Sequence, residues 1–270
     1  MDTTAPQFSL LYTPIRKLGQ GGFGSVYLCQ RISDLAKCVV KVVPECNITR
    51  TTYCPDREID LPDEIMLWEP LSHSNIVPLK DVYFEKETWI MVMDYCPGYE
   101  DLFDYVAEHG AMSSGDAANI IKQVIETCYY LTAQGIDHRD IKDENILYNP
   151  ETKQIKLIDF GSASLLSESP YTFRRGTDVY IPPEYHNYKS YHALPAAVWA
   201  IGCLSYVLLN GKCPFNTVSH VQEYRTLTWR KPTVGVLARH FTELCLKTVE
   251  KERMEFRHFF LHPWFLKHSI

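Results

Sequence analysis

The sequence has no paired-cysteine motif. Its nine cysteines are scattered along the chain, odd in number, and never spaced as CxxC. That excludes a disulfide framework and a zinc site. Several fall in apolar runs, where a free thiol behaves as a small hydrophobe, so a reducing compartment is expected. The N-terminus, MDTTAPQFSLLYTPIRK, lacks the basic start and apolar core of a signal peptide. The most apolar stretch, Ala196 to Leu209, is about 14 residues long. It is too short to span a bilayer and is expected as a buried core helix. Repeats and low-complexity linkers are lacking too. Basic residues are not in excess: 27 Lys+Arg against 33 Asp+Glu give a net charge of −6. That argues against a dedicated nucleic-acid binder but leaves room for an acidic site facing basic partners.

What is present is an ordinary globular composition. The 270 residues are 46% hydrophobic and 22% charged, enough for a sizeable core in one or two domains. The first 95 residues read as β-rich. Strands are predicted over 24–30, 37–43, 79–84 and 88–94, with one helix opening at Pro62 and limited by Pro70. Beyond Cys96-Pro97-Gly98 the period turns helical. Apolar residues from Ala117 to Leu131 recur at 3.6-residue spacing, with Ser113 or Ser114 as cap and Gly135 as stop. Further helices are predicted over 196–209 and 237–249, and short strands over 145–148 and 154–158. A long stretch with few periodic signals follows the second short strand; such loops inside compact domains usually carry function.

Gly19-Gln-Gly21-Gly22-Phe23-Gly24-Ser-Val26 is a GxGxxGxV pattern. Glycines allow close approach to a phosphate, but read alone the pattern fits a plain glycine-rich hairpin equally well. A strand follows it rather than a helix, which favours a flap over phosphates against a dinucleotide site. Lys41 sits inside an apolar strand pattern. It is either an edge lysine with a solvated head or a buried one that needs a carboxylate, which Glu64 on the predicted helix can supply. The run His138-Arg139-Asp140-Ile-Lys142-Asp143-Glu144-Asn145 packs polar residues between a helix and an apolar strand. A solvated loop would explain that run, but not Asp159-Phe160-Gly161 following soon after.

In order, these motifs resemble those of the eukaryotic protein kinases, from about Tyr12 to Leu266. HRDIKDENIL, KLIDFGSA, DLFDYV, VYIPPE and AAVW together are similar to the Pim-type serine/threonine kinases. PAS-domain-kinase relatives share HRDIKDEN and LIDFGSA but less of the rest. The resemblance implies an α+β, bilobal protein-kinase fold: one catalytic domain, 1–270, with a β-rich N-lobe (1–95), a helical C-lobe (96–270) and the site in the cleft. It implies an ATP- and Mg²⁺-dependent enzyme that phosphorylates Ser/Thr of protein substrates. Asp140 would take the substrate hydroxyl proton, Lys142 would neutralise charge on the transferred group, and Lys41 would hold α and β phosphates. Asn145 and Asp159 would hold Mg²⁺. ATP would lie against Leu18, Gly19, Gln20, Gly21, Gly22, Phe23, Gly24, Val26, Val39, Lys41 and Glu64. Met93 (the gatekeeper), Asp94, Cys96, Asp101 and Leu147 would complete that site. Substrate would meet Asp104, Asp143, Glu144 and Thr177.

Basic residues upstream of the target Ser/Thr are therefore expected in the substrates, with a weaker distant preference because the run after Gly211 lacks acids. Glu184 is expected to pair with Arg253. A cytoplasmic monomer, with the nucleus as a second location and no nucleic-acid or membrane partner, completes the expectation. The competing reading is a pseudokinase scaffold that binds nucleotide or partners without catalysis. Three residues depart from common kinase patterns. Val39 replaces a small residue beside the adenine. Asp137 puts a charge where an apolar residue is usual. Ala197 stands where most kinases, though not the Pim type, carry an Asp that braces the catalytic loop. Arg139, beside Asp140, often signals control by a phosphate on the segment 159–184, with Arg174 and Arg175 able to fold back on acidic partners instead.

Overall fold

The computed structural model describes residues 7–21, 24–224, 226–229 and 234–266. The chain divides after Pro97 into two compact units.

In the first unit a short helix α1 (Phe8–Leu11) leads into an antiparallel sheet of five strands, ordered β1-β2-β3-β7-β6. They are β1 (Tyr12–Gln20), β2 (Ser25–Arg31), β3 (Lys37–Pro44), β6 (Leu79–Glu85) and β7 (Thr88–Asp94). The β-branched run 37–43 makes β3 central, and two-residue alternation splits its faces. Val40 and Cys38 pack with Cys29, Val92, Ile90 and Tyr12. Val39 and Lys41 point the other way, opposite Met93 and Met91 of β7 and Leu28 and Val26 of β2. The edge strand β1 lacks a period-2 signal. Only its Tyr12 is buried, and it tolerates Pro14 because an edge needs fewer ladder donors. A second hairpin, β4 (Thr51–Cys54) with β5 (Ile59–Pro62), precedes helix α2 (Asp63–Trp68). The helix stops two residues short of Pro70, as the steric bias before proline requires.

The second unit begins at β8 (Glu100–Asp101), then α3 (Leu102–His109) and α4 (Ser114–Ala133). Ser113 caps α4, its hydroxyl accepting from the Asp116 N–H. Short strands β9 (Ile136–Asp137), β10 (Ile146–Asn149), β11 (Gln154–Leu157) and β12 (Ser164–Leu165) follow. Strand β10 lies between β11 and β8, and β9 pairs with β12. Helices α5 (Pro183–Tyr188), α6 (Ala193–Asn210), α7 (Val218–Glu223), α8 (Val236–Cys245) and α9 (Pro263–Leu266) complete the unit.

The central helix α6 is longer than its apolar run, because its first turn can begin ahead of Pro195 without losing a helical N–H bond. At 18 residues it is apolar and long enough to cross a membrane, but 78% of it is buried within the protein, as a core helix is. Helix α8 ends earlier than its sequence period. The Lys247 carbonyl accepts instead from Arg253 Nε at 2.8 Å. That turn delivers the Arg253 guanidinium to the Glu184 carboxylate, a bidentate pair at 2.7 and 2.5 Å, and stacks it 5.0 Å from the Trp199 ring.

Arg253→Met therefore leaves the Glu184 charge buried and unpaired, and is expected to cost about 3–5 kcal/mol in urea unfolding. Adding Glu184→Gln should recover much of that loss. A single-variant loss below about 1 kcal/mol would show the pair to be structurally dispensable.

Candidate functional site

In the first unit, β3 presents Lys41 beside α2, and Lys41 Nζ lies 2.6 Å from Glu64 Oε1 with both side chains mostly buried. The glycine loop follows β1. A Cβ on Gly24 would fall 2.1 Å from the Val42 carbonyl oxygen, so packing alone demands glycine there. Among the described residues nothing lies within 4 Å of such a Cβ on Gly19 or Gly21, so their contacts there do not require glycine. Gln20 ends β1 and accepts from Lys17 Nζ at 2.7 Å, Leu18 is exposed, and Gly22 and Phe23 lie outside the described residues. Val26, Val39 and Met93 lie in one cross-strand region of the sheet face that carries Lys41. The Asp94 N–H donates to the Pro78 carbonyl at 3.4 Å, and its carboxylate meets Lys80 at 3.3 Å. Cys96 is buried.

In the second unit the polar run between β9 and β10 forms a tight loop. His138 is buried, and burial lowers its pKa. As neutral imidazole its Nε2–H donates to the Ile158 carbonyl at 3.2 Å while Nδ1 accepts from the Asp140 N–H at 3.4 Å. Its ring meets the fully buried Phe160 edge-on at 5.0 Å. Arg139 and Asp159 both adopt left-handed backbone, φ 64° and 62°. Such conformations cost on the order of 1–3 kcal/mol each and persist only where the surroundings impose them. Asp159 Oδ1 accepts from the Gly161 N–H at 3.1 Å.

The Asp140 carboxylate is held on both oxygens. Oδ1 accepts from the Thr177 N–H at 3.0 Å and from the Thr177 hydroxyl at 3.1 Å; Oδ2 accepts from Asn145 Nδ2 at 3.0 Å. Asn145 Nδ2 also donates to the Asp140 carbonyl at 2.8 Å, which turns its amide oxygen outward from that pair. Lys142 Nζ donates to the Thr177 hydroxyl at 2.8 Å, and lies 2.7 Å from Glu144 and 3.6 Å from Asp140. Gly176 makes this approach possible. Its φ is +86°, and a Cβ there would sit 2.5 Å from the Arg139 carbonyl oxygen.

The acidic residues separate by environment. Asp104 and Glu144 are exposed. Asp143 is buried, accepts from the Tyr180 hydroxyl at 2.9 Å, and has its pKa raised by burial. Asp101 caps α3, accepting from the Phe103 N–H at 2.8 Å, with burial pushing its pKa up to about 6. Leu147 pairs with it across β8 and β10.

Arg139 points into aromatic and neutral groups. Its guanidinium lies 4.2 Å from the Tyr171 ring centroid, donates to the Tyr191 hydroxyl at 2.6 and 3.1 Å, and donates to the Phe173 carbonyl at 2.8 Å. Arg174 pairs with Asp178 at 3.0 Å, and Arg175 donates to the Ala163 carbonyl at 3.1 Å. Neither the tyrosine pair around Arg139 nor the Thr177–Asp140 contact carries a periodic signal; chain crossings more than 30 residues apart create both. The odd charge at Asp137 has a partner, since its Oδ1 accepts from the Arg139 N–H at 3.3 Å. Across a cavity of about 30 Å³, room for roughly one water, stands Ala197.

Burial raises Asp137 to about 6, against the attraction of Arg139. The ordinary unfolded value is about 3.9, so folding favours the protonated form and the native state loses stability as pH rises through 4 to 6. Asp137→Asn keeps an acceptor and removes the charge. It is expected to stabilise the protein by about 1–3 kcal/mol above pH 6, a gain that fades toward pH 4. Urea unfolding across that range checks it, and a pH-independent gain would contradict it.

Among the described residues no cluster of three or more His, Cys, Asp or Glu side chains is arranged to hold a metal ion. Asn145 and Asp159 alone suit an ion that keeps water or phosphate oxygens as its other ligands, which is the habit of Mg²⁺.

The description "protein kinase domain" matches residues 12–265. Serine/threonine-protein kinase pim-2 of Danio rerio is 36% identical over 97% of this chain and 87% of its own length. Serine/threonine-protein kinase prk-2 of Caenorhabditis elegans is 31% identical over 98% of this chain, which spans 60% of that protein. Calcium/calmodulin-dependent protein kinase type 1 of the same organism is 35% identical over 73% of this chain and 56% of its own length. With a family match over nearly the whole chain, this protein belongs to the protein kinase family and is a transferase of its serine/threonine branch.

Proposed function

We propose that the protein transfers the γ-phosphoryl group of ATP, with Mg²⁺, to Ser/Thr hydroxyls of protein substrates carrying basic residues upstream. The observation that carries the reading is the network on Asp140. A carboxylate fixed by Thr177 and Asn145, with Lys142 Nζ 3.6 Å away, combines a proton acceptor with a positive charge beside it. Phosphoryl transfer needs positioning and charge stabilisation more than covalent chemistry.

Asp140 is assigned to accept or orient the proton of the substrate hydroxyl, and Lys142 to offset charge on the transferred group. Lys41, kept in place by Glu64, is assigned to the α and β phosphates. Among the described residues Gly19 and Gly21 meet no packing reason to be glycine, which suits a backbone that a phosphate approaches closely. Val26, Val39, Met93 and Leu147 are assigned to the adenine, with the backbone of Asp94 and Cys96 as polar contacts. When bound, Mg²⁺ would neutralise phosphate charge, held by Asn145 and Asp159. Asp104 and Glu144 are exposed carboxylates suited to basic substrate residues, and Thr177 is assigned to the substrate side of Asp140. The burial of Asp143 and the capping role of Asp101 make them supports for that surface.

A cytoplasmic monomer, also present in the nucleus, is proposed with this activity. Nine free cysteines suit a reducing compartment, and the acidic balance disfavours nucleic acid. The scaffold alternative has no support in the family match or in the named relatives, which are kinases.

The experiment is phosphoryl transfer from ATP to a Ser/Thr peptide with upstream arginines, and to the same peptide with alanines there. Asp140→Asn and Lys41→Met should each lower transfer by roughly 10²-fold or more, and the alanine peptide should be the poorer substrate. A wild-type protein no faster than the variants overturns the reading. Gly176→Ala should reduce transfer more than tenfold, because relieving its clash moves the Arg139 carbonyl and Asp140; unchanged transfer would show that the approach is not needed.

A further inference from the structure

Helix α2 carries Glu64 at its second position, yet it is only six residues long. A helix so short has little stability of its own, so what surrounds it decides where Glu64 stands. Its inner face is anchored by Ile65 and Trp68, which are buried, and by the Trp68 indole N–H donating to the Val77 carbonyl at 2.7 Å. Its start has no side-chain cap. The chain enters straight from strand β5, and the β4–β5 hairpin grips both helix ends. At the first residue, Asp63 is 8% exposed, and its carboxylate accepts from Thr52 Oγ1 at 2.8 Å and from Arg50 Nε at 2.8 Å. The Asp63 N–H donates back to the Arg50 carbonyl at 3.1 Å. At the far end, Arg57 meets Glu69 at 2.6 Å. Asp63 is the residue before Glu64, and Glu64 Oε1 lies 2.6 Å from Lys41 Nζ.

We propose that Arg50, Thr52 and Asp63 form a latch through which the β4–β5 hairpin positions Glu64 against Lys41. Apolar anchoring holds one side of α2 but leaves rotation and sliding about its axis weakly fixed. Hydrogen bonds to a buried carboxylate are directional and fix both. The three are positioning residues that act through Glu64. The inference rests on the proposed role of the Lys41–Glu64 pair in nucleotide binding.

Two readouts keep the inference separate from that reading. The first needs no phosphoryl transfer: the pH dependence of Lys41 acylation by an amine-reactive reagent on the full chain, followed by mass spectrometry. A mostly buried ammonium that loses one of its partners, a carboxylate, becomes a free amine at lower pH. The pH of half-modification should fall by on the order of one unit in Glu64→Gln, and by a similar amount in Thr52→Val combined with Arg50→Ala. The exposed Lys153 serves as an internal control and should not move. Thr52→Ser, which keeps the hydroxyl, should behave as wild type. The second readout is steady-state kinetics, where the Thr52→Val/Arg50→Ala variant should raise KM for ATP severalfold with the peptide KM unchanged. If Glu64→Gln shifts the Lys41 profile and the hairpin variants leave it at the wild-type position, the latch is refuted. A Thr52→Ser shift as large as that of the Thr52→Val/Arg50→Ala variant also refutes it. A Lys41 profile that shifts in both variants while KM for ATP holds supports the latch and overturns instead the nucleotide role given to Lys41.

Discussion

The carboxylate of Asp140 organises the polar loop of the second unit because hydrogen bonds hold both of its oxygens. Thr177 reaches it from the end of the long segment and Asn145 from the end of its own loop, so two stretches distant in sequence converge on one group. Steric tolerance is small there. Gly176 passes so close to the Arg139 carbonyl that no side chain fits. The left-handed backbone at Arg139 and Asp159 is held by this convergence rather than by local preference, since neither residue is glycine. A loop of polar residues becomes a rigid instrument through hydrogen bonds that close between distant positions.

Arg139 shows how the long segment is ordered. A guanidinium usually seeks a carboxylate or phosphate, but its contacts here are two tyrosines, a carbonyl and the Ser164 hydroxyl. Cation–π attraction is worth about 0.5–2 kcal/mol, less than a buried ion pair, but it carries a smaller desolvation penalty. The Tyr171–Tyr191 backbone bridge adds to the same anchor. Ordering of the segment thus draws on aromatic packing and neutral acceptors. The buried Glu184–Arg253 pair, with Trp199 against it, then fixes the base from which α5 and α6 depart.

Much of this was legible in the sequence, for identifiable reasons. Strand β3 announces itself through a β-branched run, β2 through alternation, β6 and β7 through short apolar runs about a polar turn, and α4 and α6 through apolar spacing, because burial selects residues at the structural period. The Lys41–Glu64 pair was legible because a charge within an apolar pattern demands a partner, whereas the Glu184–Arg253 pair was expected only from the family resemblance. Strand β1 and the β4–β5 hairpin were not foreseen. Each has too few buried positions to show a period: Tyr12 alone in β1, and Leu61 and Pro62 in the hairpin. The aromatic hold on Arg139 was equally hidden, since it joins residues 32 and 52 positions away.

The carboxylates make the same point about composition. A net charge of −6 suggests an acidic surface for basic partners, but location divides those acids into different jobs. Asp63, Asp143 and Glu184 are buried and bonded, so their charges serve internal geometry. Asp101 serves a helix start. Glu144 is exposed but already lies 2.7 Å from Lys142. A cation approaching Glu144 must therefore share that carboxylate with a lysine whose other neighbours are Thr177 and Asp140. The charges of Glu144 and Lys142 are thus linked, and any cation at Glu144 competes with that pair. Net charge carries no trace of that linkage, because it counts acids without recording which of them already hold a partner.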